Sequence, residues 1–235
     1  SLFTNTDKYD LCMGGAFGTE LFNTIDYSSV DELMKDFISN AKKNFIGITE
    51  SLIHRFEESL KEEFNAEDVI YLKQIHSDKI LKYDKSCPNI KNEEGDAIIT
   101  NEKNVIIGVF TADCVPIILV DEEAGAIAAI HSGWRGTFES ITAKTITKMI
   151  NEFNTETGNI KAYIGPHIRK CCYEISEELK KDFLNKKKTI REEELFNSNN
   201  LNLEACIIDD LKMAGVKEDN INSINLCTYC SDEIK

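Results

Sequence analysis

Five short segments rich in β-branched and apolar residues lie close together in the middle of the chain. They are residues 69–76, 96–100, 105–111, 116–121 and 126–131. Runs of this length and composition predict buried strands. Only residues 122–125 separate the last two runs, and this short polar stretch with its glycine predicts a hairpin. A strand-rich centre is therefore the feature that most constrains the fold.

Helical patterns flank this centre on both sides. Ser29 with Glu32 predicts a capped helix over residues 30–45, and a second helix is predicted by the stripe Ile53, Phe56, Leu60 and Phe64. Further helices are predicted from Gly136 to Phe153 and over 177–185 and 203–213, with strands at 160–164 and 221–225. Because some strands are adjacent and others are separated by helices, we expect an α+β fold. It is predicted to be a single domain over residues 1–235, with mixed sheets flanked by helices, and not a doubly wound parallel sheet.

The charge of the chain restricts its partners. The formal net charge is −14, which repels phosphate backbones and anionic lipid, so we expect neither nucleic acid nor a membrane surface as partner. The sequence has no run of about 18 apolar residues that would predict a transmembrane helix. We therefore expect a cytoplasmic protein. An anionic small substrate would need local positive charge.

Three segments place unusual residues at the ends of predicted strands. His76, Cys114 and His131 each lie in one of them, and strand ends are where rigid scaffolds place catalytic groups. One thiolate and two imidazoles suit zinc, and three protein ligands leave its fourth position open for water or substrate. The sequence therefore predicts a catalytic zinc site at these residues.

The same atoms permit another chemistry. Cys114 could be the nucleophile of a cysteine hydrolase, with a histidine as base and Asp113 or Gln74 in support. The spacing of the residues does not separate this reading from zinc ligation. Cys227 and Cys230 form a single C-x-x-C pair, which we interpret as structural or as a wall of the pocket, and the role of the adjacent Cys171 and Cys172 stays open.

Several motifs together resemble one family, the multicopper polyphenol oxidase (laccase)-like proteins, whose members are now read as purine nucleoside phosphorylases. This family includes a bacterial peptidoglycan-editing factor. The matching stretches are Gln74-Ile75-His76, Gly95-Asp96-Ala97, Thr111-Ala112-Asp113-Cys114-Val115-Pro116, His131-Ser132-Gly133-Trp134-Arg135-Gly136, Ile164-Gly165-Pro166-His167, Cys172-Tyr173-Glu174 and Cys227-Thr228. They occur in consistent order over residues 69–228.

The resemblance implies a YfiH-like fold of mixed sheets and flanking helices, with zinc bound by His76, Cys114 and His131. It implies phosphorolysis of adenosine, inosine, guanosine and S-methyl-5′-thioadenosine, with adenosine deamination as a second activity. Zinc is expected in preference to copper. The sequence has four histidines, which are too few for the several copper sites of a multicopper oxidase. We expect purine nucleoside and phosphate as partners, and a monomer or homodimer.

Roles for the neighbouring residues follow from that activity. Arg135 is predicted to contact phosphate, since its planar fork suits that anion, while Trp134 and Tyr173 would line the pocket and stack on the purine. Asp113 and Cys114 are predicted to manage protons, and Gln74 to contact substrate. Two alternatives stay open. They are a cysteine hydrolase that edits peptidoglycan precursors and a non-catalytic scaffold that keeps a structural zinc.

Overall fold

The computed structural model describes residues 2–6, 9–13, 45–86, 90–91 and 93–232, with the backbone alone for 2–6, 9–13 and 45–53. The helices are α1 Phe45–Phe64, α2 Trp134–Phe138, α3 Ile141–Phe153, α4 Glu177–Lys186, α5 Glu192–Leu195 and α6 Leu203–Met213. The strands are β1 Leu2–Thr6, β2 Tyr9–Met13, β3 Asp68–Ile70, β4 Ile80–Lys82, β5 Ala97–Thr100, β6 Val105–Ile107, β7 Val115–Asp121, β8 Ala126–Ser132, β9 Lys161–Ile164, β10 Phe196–Asn197, β11 Asn200–Leu201 and β12 Ile221–Ser223.

Six strands form the central sheet, in the order β12-β9-β7-β8-β5-β4. The inner strands pair antiparallel, whereas the outermost pairs, β12 with β9 and β4 with β5, are parallel. Three further two-stranded sheets pair β1 with β2, β3 with β6, and β10 with β11. The predicted α+β class with mixed sheets is confirmed.

The β7–β8 hairpin forms the middle of the central sheet, and every residue of both strands is buried. Strands covered on both faces are apolar along their whole length, which explains their nearly continuous hydrophobic sequence. The hairpin turns at residues 122–125, as predicted, and Gly125 has a positive φ of 63° that glycine adopts without strain.

Alternate side chains of the sheet pack into two different layers. Ile117 and Leu119 of β7 face a core shared with helices α3 and α6, whereas Ile118 and Val120 face one shared with β3 and β6. The opposite side of the β3–β6 pair packs against α1 through Leu60. The described chain is therefore layered helix, sheet, strand pair, helix.

Several elements differ from the prediction. Pairing of β3 with β6 ends near Gly108, whose N–H donates to the Ile70 carbonyl, so the strands predicted over 69–76 and 105–111 are shorter than expected. The helix predicted from Gly136 onward is broken at Ser140, which has a positive φ of 58°. Strands β1, β2, β4, β10 and β11 were not predicted, and the last three are too short to show a pattern.

Two expectations concern parts of the chain that the structure does not cover. The helix predicted over 30–45 lies, except for its last residue, outside the described residues, and the single domain over 1–235 stays a prediction. Among the helices that are described, none is long and apolar enough to cross a membrane.

Candidate metal centre

Three separate elements bring His76, Cys114 and His131 together. Cys114 lies directly before β7, and His131 lies near the end of β8, where it pairs with Pro116. His76 lies in the loop after β3. The Cys114 Sγ atom is 3.8 Å from His76 Nε2, and the ring centroids of the two histidines are 4.8 Å apart. One ligand atom from each residue lies within 4.8 Å of the others.

These separations fit a metal ion of the expected kind. Tetrahedral zinc with typical bond lengths holds its sulfur and nitrogen ligands roughly 3.6 Å apart, close to the observed 3.8 Å between Cys114 and His76. His131 is buried, Cys114 is half-buried and His76 is exposed. The three donors therefore suit a bound metal ion, and the cluster is exposed to solvent on its His76 side.

Asp96 fixes the two histidines relative to each other. Its fully buried carboxylate is 2.8 Å from His131 Nδ1, which leaves Nε2 of that ring for a metal. The same carboxylate accepts hydrogen bonds from the His76 and Ser77 backbone N–H groups, at 3.0 and 2.6 Å, and from the Ser77 hydroxyl. A carboxylate that orients a ligating histidine is a common feature of zinc sites.

Sequence reasoning assigned no function to Asp96. The available signal was a charged residue between Gly95 and Ala97, directly before a mostly apolar strand, because a buried carboxylate must find donors. The donors to Asp96 come from the loop of residues 75–77, which precedes it by about twenty residues. No local sequence pattern therefore points to them.

The backbone of His76 is held in an uncommon conformation. Its φ is 58°, in the left-handed region that non-glycine residues rarely adopt. Consecutive N–H groups of Ile75, His76 and Ser77 converge on the Asp96 carboxylate, and such a convergent set of donors binds an anion well. These hydrogen bonds compensate for the backbone strain and aim the imidazole at Cys114.

The protonation of this pair follows from its contacts. Burial alone would lower the pKa of His131, but the hydrogen bonds to Asp96 and Cys114 raise it to about 9. Burial would raise the pKa of Asp96, and the donors from His131 and Ser77 instead lower it to about 2. Metal binding at neutral pH therefore has to release a proton from His131.

Gly133 lies close to the His76 and Cys114 side chains. A Cβ atom at this position would lie 2.9 Å from His76 Cδ2 and 3.1 Å from Cys114 Sγ. Because its φ is −72°, the backbone conformation would tolerate any residue. The glycine is therefore required by the close approach of the two side chains.

Arg135, Trp134 and Tyr173 are the aromatic and cationic residues that were predicted to bind substrate. Arg135 is exposed, and its guanidinium stacks over the Trp134 ring at 4.4 Å. None of the ion pairs within the described ranges engages Arg135. Burial raises the pKa of Tyr173 to about 12, with the charges of Cys114 and Arg135 also acting on its hydroxyl. Tyr173 therefore carries a neutral hydroxyl within electrostatic reach of both residues.

Asp113 and Gln74 hold loops at the edge of the site. The Thr228 hydroxyl donates to Asp113 Oδ1 at 2.7 Å, which links the segment before Cys114 to the C-terminal part of the chain. Gln74 Nε2 donates to the Phe110 carbonyl, and its Oε1 accepts from the Phe110 N–H, both at 2.7 Å. Gln74 thus braces two loops, and its contact with substrate stays a prediction.

Comparison with known families identifies a match over most of the chain. The profile described as multi-copper polyphenol oxidoreductase laccase matches residues 49–234. A purine nucleoside phosphorylase of Clostridium acetobutylicum is 46% identical over 178 residues, covering 75% of this chain and 72% of that protein.

Two other similarities bear on function and fold. A protein from an unknown prokaryotic organism, named adenosine deaminase RL5, is 32% identical over 70% of this chain and 66% of its own length. Among solved structures, the YfiH protein of Bacillus licheniformis superposes with a TM-score of 0.66 at 23% identity. That match covers 73% of this chain and 69% of the other, and it supports the fold.

Proposed function

The chain belongs to the multi-copper polyphenol oxidoreductase laccase family, and we propose that it is a zinc-dependent purine nucleoside phosphorylase. The observation that carries this proposal is the convergence of His76, Cys114 and His131 on one point, where His76 is exposed to solvent. The similarity to a phosphorylase over three quarters of the chain supports a purine nucleoside as substrate.

The donor set favours zinc. Two imidazoles and one thiolate in tetrahedral arrangement are typical zinc ligands, and a three-ligand site leaves a position for water or substrate. When bound, zinc supplies a Lewis acid and a water molecule with a pKa near 7. Asp96 holds the His131 ring in its ligating orientation, and Gly133 leaves space for the other two side chains.

Arg135 is the residue we assign to phosphate. Its guanidinium is exposed, and Trp134 stacks on one face of it, so the planar group is oriented and free to bind an anion with two N–H donors. In a chain of net charge −14, such a cation supplies the local attraction that an anionic substrate needs.

We assign the nucleoside to other residues near the cluster. In phosphorolysis the glycosidic bond between C1′ and the base breaks, a phosphate oxygen bonds to C1′, and the base takes up a proton. Tyr173 and Trp134 are half-buried aromatic residues that can stack on a purine. Gln74 would contact the nucleoside, and Asp113 and Cys114 would handle the proton.

Adenosine deamination is a second activity of the proposed site. The relative named adenosine deaminase supports it. The reaction replaces the purine amine, which leaves as ammonia, by an oxygen derived from water, so it needs an activated water near the purine ring. On this proposal that water would bind on the exposed His76 side of the cluster.

The test is an assay of the purified protein with a measured zinc content. Adenosine and phosphate should give adenine and ribose 1-phosphate. Deamination should give inosine, and phosphorolysis of that inosine should give hypoxanthine. Omitting phosphate should abolish adenine and leave inosine formation. A zinc-loaded protein that yields none of these products would overturn the proposal. The Cys114→Ser variant should lose both activities together with the zinc bound by the three-ligand cluster.

A cysteine hydrolase is the second candidate function, and one contact favours it. Cys114 Sγ and His76 Nε2 are 3.8 Å apart, close to the separation at which an imidazole activates a thiol nucleophile. On this alternative the substrate is a peptidoglycan precursor. Hydrolysis that is lost in a Cys114→Ser variant with full zinc content would favour it over phosphorolysis. A closed fourth coordination position and no turnover would favour the scaffold alternative.

A further inference from the structure

A second group of metal-binding side chains lies outside the candidate metal centre. Cys171, Cys172, Cys227 and Cys230 place their four sulfur atoms within 4.8 Å of one another. The sequence shows only one C-x-x-C pair, and the adjacent cysteines far upstream give no recognisable partner for it. The fold brings these two pairs together, which a local pattern could not predict. We propose that these four residues, here called the tetracysteine cluster, bind a structural zinc ion.

Two turns present the four thiols. Cys172 and Tyr173 N–H groups donate to the Arg169 carbonyl, which closes a turn around Cys171. In the C-terminal segment the Ser231 N–H donates to the Cys227 carbonyl, and the Cys227 N–H donates to the Ser231 hydroxyl at 2.9 Å. Both pairs therefore sit on tightly bent backbone, from which neighbouring side chains can converge on one point.

The sulfur separations distinguish a metal site from a disulfide. Cys171 Sγ and Cys230 Sγ are 3.6 Å apart, far beyond the bond length of about 2.05 Å in a disulfide. Zinc with four sulfur ligands at about 2.3 Å holds neighbouring sulfurs roughly 3.8 Å apart. The observed distance agrees with this tetrahedral edge, so an ion fits among the thiols without large movement.

Four protein ligands make this site closed, which assigns it a structural role. A set of four cysteine ligands leaves no coordination position for substrate, in contrast to the three-ligand cluster of the candidate metal centre. The zinc would join two turns that both reach that centre. Tyr173 follows Cys172 directly, and Thr228 follows Cys227 and donates to Asp113. The tetracysteine zinc would therefore fix two walls of the neighbouring site.

Zinc counting on the full chain tests the proposal. After purification with reductant and zinc, wild-type protein should contain two zinc ions per chain by elemental analysis. A variant with both His76→Ala and Cys114→Ser should keep one zinc, and X-ray absorption should show four sulfur neighbours at about 2.3 Å. The double variant Cys227→Ser with Cys230→Ser should lose that ion. The matched control is Cys206→Ala, which removes a buried thiol in α6 and should keep two.

Three outcomes would overturn the inference. They are the absence of zinc from the His76→Ala/Cys114→Ser variant, iron in its place, or a disulfide between Cys171 and Cys230 in protein kept under reductant. The first variant leaves all four cysteines intact, so it remains decisive even if loss of the cluster prevents folding. None of these measurements involves phosphorolysis, and a negative result leaves the proposed function standing.

Discussion

Asp96 and Gly133 show how single residues shape a metal centre without being ligands. Asp96 binds the His76 loop and the His131 ring with one carboxylate, and Gly133 contributes by lacking a side chain. The ligands themselves could be predicted from residue type, because thiolate and imidazole are what zinc prefers. Their supporting residues could not, since a carboxylate or a glycine serves many purposes and only the folded chain shows its neighbours.

Replacement of Gly133 by alanine should weaken metal binding at the three-ligand cluster. The new Cβ would press on His76 Cδ2 and Cys114 Sγ, at 2.9 and 3.1 Å. We expect a loss of about tenfold or more in zinc affinity, measured by competition with a chelator, with little change in the far-ultraviolet circular dichroism. Gly108→Ala is the matched control, because its Cβ would meet nothing within 4 Å. Equal affinity for the two variants would contradict the packing argument.

The Asp96→Asn variant should also bind zinc more weakly, because the two histidines would be less well oriented. The amide nitrogen cannot accept hydrogen bonds, so one side of the loop from residue 75 to residue 77 loses its acceptor. Replacing a supporting residue of this kind typically lowers metal affinity by about 10–100-fold. Asp121→Asn, a buried carboxylate in the β7–β8 hairpin, should leave zinc affinity unchanged. An Asp96→Asn protein that binds zinc as well as wild type would refute this role.

At the scale of elements, a buried ion pair joins three helices. Lys187, which follows α4, donates to Asp210 of α6 at 3.0 Å and to the Ser140 hydroxyl at 2.7 Å, directly before α3. Helices near all three positions were predicted from the sequence, over 136–153, 177–185 and 203–213. The ion pair that connects them was not predicted, because charged residues are normally expected at the surface and only the folded chain shows that this pair is buried.

Removing one partner of the Lys187–Asp210 pair should lower the free energy of unfolding more than removing both. Asp210→Ala leaves a buried ammonium group unpaired, and we expect a loss of about 3–5 kcal/mol in the free energy of unfolding by urea. The double variant Lys187→Met with Asp210→Leu should lose much less, because it removes both charges. Asp78→Ala, which breaks an exposed pair with Lys144, should cost at most about 1 kcal/mol. Equal costs for the single and double variants would contradict a buried pair.

The same pair makes stability depend on pH. Burial raises the pKa of Asp210, against the opposing effect of Lys187 and Ser140 and with a further small increase from Asp209. A carboxyl group whose pKa is higher in the folded protein stabilises it at low pH, and this contribution is lost as the pH rises through the folded value. The unfolding free energy of wild type minus that of Asp210→Asn should therefore fall as the pH rises above about 4. A difference that grows with pH would contradict the assigned direction.

At the scale of the whole molecule, the site lies where the central sheet meets its loops. The apolar runs predicted the central strands, because burial on both faces imposes that composition. The layering of the β3–β6 pair between the sheet and α1 could not be read from the sequence, since it depends on contacts between distant segments. The tetracysteine cluster was missed for the same reason, although every one of its cysteines was visible.

The central claim is that His76, Cys114 and His131 share one metal ion with a coordination position left for substrate. The most direct measurement is an anomalous-difference map at the zinc absorption edge from crystals of zinc-loaded protein. The account predicts a peak about 2.0–2.3 Å from Cys114 Sγ and from one nitrogen of each histidine, with water or substrate as fourth neighbour. A fully loaded protein with no peak among these three side chains would contradict it.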